Sequence, residues 1–229
     1  MKENIFLPGS ENQIKFLLNN ITVEDMEVLI IGPGTAPIAD HLTKMNNKVQ
    51  IIVEDYDSMI ETRLELSDKS TLVRIMDFEN TDFDSDKFDL VYAQASVSSL
   101  KRNKIIKEIK RILKKDAYLC VGEIVKLNSN VPKFVTDIWD RAELLPLAVD
   151  DLERYYAERK FEITAAEDFS NTLKKYYQLI SDKLKEIKTG EESGSERRLL
   201  NLYSHERNAY LKLGGDKFMG FKSLILIKR

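Results

Sequence analysis

The chain of 229 residues has a single cysteine, Cys120. No internal disulfide can form, and no zinc site can be built from several thiolates; no metal site is expected. No stretch approaches the roughly 18 apolar residues that a membrane helix needs. The amino terminus, MKENIFLPGS, lacks the apolar centre of a signal peptide. A cytoplasmic protein is therefore expected, with no membrane partner. Positive charge is not in excess either: the formal net charge is −3, so no global basic field draws the chain onto nucleic acid. There is no internal repeat and no low-complexity tract. What is present suits a packed enzyme-sized fold, with 43% apolar residues to fill a core and 32% charged residues for an ordinary surface.

Short apolar runs alternate with helical spacing along most of the chain. Ile14, Phe16, Leu17, Leu18 and Ile21 predict a short amphipathic helix. VLII (28–31), VQIIV (49–53), TLVRIM (71–76), FDLVYA (88–93) and AYLCVGEIV (117–125) read as buried strands. A helical stretch through Leu42 and Met45 follows the first of them, and Ile105, Ile106, Ile109, Ile112 and Leu113 repeat at helical spacing before the fifth. This alternation predicts an α/β fold, a doubly wound and mostly parallel sheet. Right-handed crossovers put the strand carboxyl ends along one edge, where ligands bind. Beyond residue 126, the segment 132–160 reads as helical and 161–170 as a sixth strand. Leu173 to Ile187 read as an amphipathic helix, 189–195 as a polar loop and 196–212 as another helix. The pair 214–215 is the helix stop, and 221–228 a final strand.

Chemistry-bearing residues fall at the strand ends. IIGPGTA (30–36) is a small-residue turn that lets a ligand approach the backbone, with the free N–H groups of a helix start behind it. A plain tight turn has the same sequence. Glu54-Asp55 ends the second strand, about 20 residues beyond the loop, where a carboxylate can accept two hydrogen bonds from a ribose diol; an acidic pair there also reads as solvated surface. Asp77-Phe78 ends the third strand. The aspartate can accept from an adenine amino group and the ring can stack on the base, or the pair is a turn aspartate beside a core phenylalanine. FDLVYAQA (88–95) carries the fourth strand's carbonyls to the same edge, and RILKKDAYL (111–119) is a helix end and turn feeding the fifth strand.

These segments together resemble the class I S-adenosylmethionine-dependent methyltransferase family, of the small-molecule type. The resemblance covers about residues 25–125 in order: the glycine turn, an acid after the second strand with YDSM (56–59) beyond it, the third-strand aspartate, DFDSDKFDLV (82–91) and RILK (111–114). The chain departs from the pattern at Ile30, where the family has an acid, and at Ala36, where a third glycine is usual. The customary Pro-Gly-Gly turn is Lys115-Asp116-Ala117 here. The resemblance implies a Rossmann-like sheet of about seven strands with an antiparallel last strand, plus a helical cap. The cofactor would be S-adenosyl-L-methionine and the product S-adenosyl-L-homocysteine. Gly32, Pro33, Gly34 and Ala36 would line methionine and ribose, and Glu54 would hold the ribose hydroxyls. Asp55 and Met59 would lie beside adenine, Asp77 and Phe78 would read the base, and Ala93, Gln94 and Ala95 would close over the methionine end.

The implied organisation is one domain over 1–229: a cofactor-binding half (1–126), cap segments at 127–160 and 171–215, and closing strands at 161–170 and 221–229. No Asn/Asp-Pro-Pro-Tyr/Phe signature follows the fourth strand, which argues against methylation of exocyclic amines. Cys120, inside a strand and without a neighbouring proline, argues against a thiolate nucleophile. The expected partner is a small-molecule acceptor, and a homodimer is possible. Trp139, Tyr155, Tyr176, Tyr177 and Tyr203 are candidate acceptor contacts, with helix packing as the alternative reading. Glu123, Tyr156 and His205 are candidate bases, and His41 reads as a surface residue. A cofactor-binding scaffold or regulatory subunit without catalysis is the alternative function, suggested by Ile30. An NAD-dependent oxidoreductase using the same loop and acid is the other, and it leaves Asp77-Phe78 unexplained.

Overall fold

The computed structural model describes residues 5–187 and 204–229. Five parallel strands form the first half of the sheet: β1 (Glu27–Ile31), β2 (Lys48–Val53), β3 (Leu72–Ile75), β4 (Phe88–Gln94) and β5 (Leu113–Lys126). Among the described residues the sheet has eight strands, with a short β6 (Leu147–Ala148) beside the end of β5, then β7 (Phe161–Asp168) and β8 (Met219–Lys228). The order is β3-β2-β1-β4-β5-β8-β7, and β8 runs antiparallel to both β5 and β7. The mostly parallel, doubly wound sheet with an antiparallel last strand is thus present, with β6 in addition.

Alternate side chains of the apolar runs feed two cores. Val28, Ile30, Ile51, Tyr92 and Cys120 face one side. They pack there with residues of α1 (Asn12–Asn20), α2 (Ala36–Thr43), α3 (Tyr56–Glu65), α5 (Lys133–Arg141), α7 (Thr172–Ile187) and α8 (204–212). Leu29, Ile31, Ile52, Val91 and Leu119 face the other side, against α4 (Arg102–Ile112) and α6 (Leu152–Glu158). Runs such as VLII are apolar throughout because both sheet faces are covered.

Two stretches differ from expectation. Residues 132–160 are not continuously helical: α5 and α6 are separated by β6. The reason lies in β5, which outruns its neighbour. β4 ends at the Gln94–Gly122 pair, so the β5 edge beyond it is open, and Leu147–Ala148 fill it opposite Val125 and Lys126. The expected turn before the fifth strand is a bulge inside that strand. Phe88 pairs with Leu113 and Leu90 with Tyr118, so residues 114–117 loop out. Asp116 takes a left-handed backbone there, φ 61°, a conformation aspartate tolerates better than most residues. The expected loop 189–195 and the first part of the helix expected at 196–212 lie outside the described residues. Gly214, at φ 83°, follows α8 as expected.

Candidate functional site at the carboxyl edge of the sheet

The strand order reverses between β1 and β4, and the crevice outside such a switch point is where α/β sheets bind ligands. The turn after β1 and the loop after β4 meet there. Gly32 has φ 110° and Gly34 φ 70°. The turn is pinned by Gly32 N–H donating to the Ile52 carbonyl (2.9 Å) and by the Thr35 hydroxyl donating to the Gly32 carbonyl (2.9 Å). A Cβ on Gly32 would lie 2.9 Å from Ser96 Cβ. Pro37 stands in the first turn of α2 and has no N–H, and the Ile38 and Ala39 N–H groups donate to the Thr35 carbonyl (3.0 Å each), so most of the free N–H groups expected at this helix start are absent. The Ser96 hydroxyl is buried and has no hydrogen-bond partner among the described residues. A close-approach turn and an orphaned hydroxyl side by side fit a polar ligand end such as an amino-acid moiety.

Glu54 and Asp77 stand exposed at the ends of adjacent strands, as β2 and β3 pair in parallel up to Val53–Ile75. Desolvation raises the Glu54 pKa above the ordinary glutamate value. The Lys101 charge opposes the rise, Asp77 and Glu79 add to it, and the Phe78 backbone N–H donates to the carboxylate and lowers it again. Asp55 serves a different purpose. It is the N-cap of α3, accepting from Ser58 N–H (2.8 Å) and the Ser58 hydroxyl (2.7 Å), and these bonds hold its pKa down. Met59 and Phe78 are 9% and 4% exposed and belong to the two cores, so at this edge Phe78 offers its backbone rather than its ring. Ala36 is fully buried at the start of α2, while Pro33 is exposed.

The end of β4 is held by the amino-terminal segment, a link the sequence does not announce. The Ala93 carbonyl accepts from Gln13 Nε2 (3.0 Å). Gln94 Nε2 donates to the Pro8 and Ser10 carbonyls (2.7 and 2.9 Å), and its Oε1 accepts from the Tyr92 hydroxyl (2.6 Å). Gly9 N–H donates to Thr172 Oγ1 (3.1 Å), tying the segment to α7. A Cβ on Gly34 would touch Leu7 at 3.4 Å. Ala95 turns the chain with φ 58°, which is unfavourable for any residue with a Cβ. Ala95→Gly is expected to stabilise the fold by about 0.5–1 kcal/mol, read as a higher urea midpoint; an unchanged or lower midpoint would show that the turn carries no strain.

The candidate acceptor residues are divided by the sheet. Trp139 and Tyr177 lie in the core of one face, with Tyr176 packed against it, and Tyr155 and Tyr156 belong to the other. They do not form one aromatic pocket. Tyr155 sits under Arg159, whose guanidinium is 3.5 Å from the ring centre, and donates to Asn103 Oδ1. Trp139 is 4% exposed. Tyr176 packs on Phe6 with ring centres 5.4 Å apart, beside the Leu7 that touches the glycine turn. His205 is half-buried on α8 and His41 half-buried on α2. Tyr203 lies outside the described residues.

Glu123 and Tyr156 are both fully buried. The Tyr156 hydroxyl donates to Glu123 Oε1 (2.6 Å), while Oε2 accepts from Arg102 Nε (2.7 Å) and Ser98 Oγ (3.2 Å). Burial, reinforced by the Glu123 charge, pushes the Tyr156 pKa well up, so its hydroxyl stays a donor. Two of the three expected base candidates are therefore committed to an internal cluster, the structural reading left open for Glu123. Burial also pushes the Cys120 thiol up to about 12, far from the thiolate a nucleophile needs. Sequence reasoning missed Gln13, Ser96, Ser98, Lys101 and Arg102. One local signal existed: Lys101 and Arg102 open a helix whose first turn has no acid, against the helix dipole, which marks charges in use elsewhere.

A glycine turn after β1, acids after β2 and β3 and the β4 loop closing the same crevice define a Rossmann-like nucleoside-cofactor fold. Residues 29–121 match the family of the methyltransferase domain. Among solved structures, phosphoethanolamine N-methyltransferase 2 of Haemonchus contortus, crystallised with S-adenosyl-L-methionine, superposes with a TM-score of 0.78 at 14% identity, over 99% of this chain and 54% of that one. Geranyl diphosphate C-methyltransferase of Streptomyces coelicolor gives 0.70 at 13% identity, over 96% and 77%. The [4+2]-cyclase SpnF gives 0.71 at 16% identity, over 95% and 80%. No curated protein matches the chain in sequence. The family match covers less than half of the chain, and the solved structures show that the Rossmann-like fold is shared. Among the described residues, no helix is long and apolar enough to cross a membrane.

Proposed function

We propose that this protein transfers the methyl group of S-adenosylmethionine to a small-molecule acceptor by in-line displacement. The observation that carries the reading is the meeting, at one switch point, of the Gly32–Gly34 turn, the unpartnered Ser96 hydroxyl and the Glu54 and Asp77 carboxylates. The cofactor supplies a methyl on a sulfonium, which leaves as a neutral thioether and so needs no protonation. In this reading Gly32, Pro33, Gly34 and Ala36 line its methionine and ribose, with Ser96 donating to the amino-acid end. Ala93, Gln94 and Ala95 shape the wall behind it. Glu54 accepts from the ribose hydroxyls and Asp77 from the adenine amino group, while Asp55 and Met59 set the start of α3 beside the base. What remains for the protein is alignment of the acceptor and exclusion of water. A general base is required only where the acceptor holds a proton that must leave early.

The chain is read as one domain, with 1–126 for the cofactor and 127–160 and 171–215 as the cap. It is read as cytoplasmic. The acceptor side is assigned to the face of Tyr176, because Phe6 and Leu7 link that ring to the glycine turn. Calorimetric titration tests the reading: S-adenosylmethionine and S-adenosylhomocysteine are expected to bind, and binding of NAD alone would sink it. Glu54→Ala is expected to weaken cofactor binding by roughly 1–3 kcal/mol, through loss of charge-assisted hydrogen bonds. An unchanged dissociation constant would remove Glu54 from the ribose.

A second reading, a cofactor-binding scaffold without transfer, is favoured by Ile30. It lies fully buried in the core where the family has an acid. Binding of both sulfur nucleosides with no methyl transfer to any acceptor supports this second reading.

A further inference from the structure

Three carboxylates converge at the edge where the adenosine is proposed to sit: Glu54 at the end of β2, Asp77 at the end of β3, and Glu79 two residues further on. Like charges in one place oppose one another's ionisation. The Lys101 ammonium reaches them from the β4–α4 side of the crevice. Lys101, in the loop between β4 and α4, places Nζ 3.0 Å from Glu79 Oε2 and interacts electrostatically with Glu54 and Asp77 as well. Glu79 Oε2 is buried and has no hydrogen-bond partner among the described residues, so the Lys101 contact is an ion pair rather than an aligned hydrogen bond. Lys104 is the other cation on this group, 4.0 Å from Glu79 Oε1, and is not among the charges acting on Glu54.

We propose that Lys101 is a positioning residue for the cofactor: by neutralising the Glu54–Asp77–Glu79 cluster from the β4–α4 side of the crevice, it keeps Glu54 ionised and able to accept from the ribose hydroxyls. The proposal rests on the assignment of Glu54 to the ribose. The groups that act on Glu54 are Lys101 from the β4–α4 loop, Asp77 and Glu79 from the segment after β3, and the Phe78 backbone N–H. Of these, Lys101 is the only cation. Without it, desolvation and the two acids act against a single backbone hydrogen bond, and Glu54 takes up its proton at a higher pH.

The sign is fixed by this balance. Ribose acceptance weakens as pH falls through the Glu54 pKa, which already lies above the ordinary glutamate value. Removing the Lys101 charge moves that loss to higher pH. Lys101 is half-exposed, so solvent screens the interaction and keeps the displacement small.

The test is the affinity of the purified full chain for S-adenosylhomocysteine, by calorimetry from the carboxylate range up to neutrality. It compares wild type, Lys101→Met, Lys101→Arg and Glu54→Gln. Lys101→Met is expected to shift the acid loss of affinity upward, Lys101→Arg to leave it in place, and Glu54→Gln to bind weakly with that acid limb gone. A merely structural lysine would change affinity equally at every pH or not at all. Coincident pH profiles for wild type and Lys101→Met overturn the role of Lys101. Wild-type affinity and pH dependence in Glu54→Gln overturn the ribose assignment itself, so the two failures are told apart.

Discussion

Replacing Arg102 with methionine is expected to destabilise the protein by about 3–5 kcal/mol, because it strands a charge in the interior. The Arg102 and Glu123 side chains are 5% and 0% exposed. Arg102 also donates to the Leu145 carbonyl at 2.6 Å, and so joins the start of α4 to β5 and to the turn before β6. With the guanidinium gone, Glu123 retains, among the described residues, the Tyr156 and Ser98 hydroxyls. Neither carries the positive charge that offsets burial of a carboxylate. The double substitution Arg102→Met/Glu123→Leu is expected to recover most of the loss, since a well-packed apolar pair often equals a buried ion pair in stability. Urea unfolding of the single and double variants measures both. A loss below about 1 kcal/mol for the single change would mean that water reaches Glu123. The consequence extends to the site. Ser98 Oγ accepts from Ile124 N–H (3.0 Å) while donating to Glu123, so this cluster also fixes the loop that carries Ser96 and Lys101.

That cluster marks the limit of what the sequence discloses. The parallel strands were legible because a strand covered on both faces must be apolar at every position, and VLII or VQIIV has few other readings. Glu54 and Asp77 were legible because the sheet order, once inferred, delivers strand ends to one edge. The pairing of β6 was not, since two residues added to an overhanging strand leave no periodic trace. Nor was the seat of the amino-terminal segment: Gln94 meets Pro8 across 86 positions, and no local pattern foretells such a contact. Gln94 and Asp55 show the same limit from the other side. Both stand where a ligand contact was expected, and both spend their polar atoms on the protein, one on the amino-terminal segment and one on the α3 cap. The aromatic residues of the second half could be counted in the sequence but not assigned to a face, and the sheet divides them.

The glycine turn separates its two glycines in a way the motif alone does not. Gly32→Ala is expected to cost about 2–4 kcal/mol in stability, against about 1 kcal/mol for Gly34→Ala. Both have positive φ, so both incur backbone strain with a side chain. They differ in what the new methyl meets. At Gly34 it would rest at 3.4 Å from a Leu7 methyl, an ordinary contact, whereas at Gly32 it would sit 2.9 Å from Ser96 Cβ. The Gly32 turn cannot swing away, because its N–H is bound to the Ile52 carbonyl and its own carbonyl to Thr35 Oγ1. Ser96 must move instead, and its hydroxyl leaves the place proposed for the amino-acid end of the cofactor. Affinity for S-adenosylhomocysteine is therefore expected to fall by about tenfold or more in Gly32→Ala, the loss of one charge-assisted hydrogen bond, and only slightly in Gly34→Ala. Adding Ser96→Gly to Gly32→Ala relieves the contact but not the backbone strain, so it is expected to restore part of the stability and none of the affinity. Equal costs for the two alanine variants, in urea unfolding and in calorimetry, would show that Ser96 and the turn are not coupled.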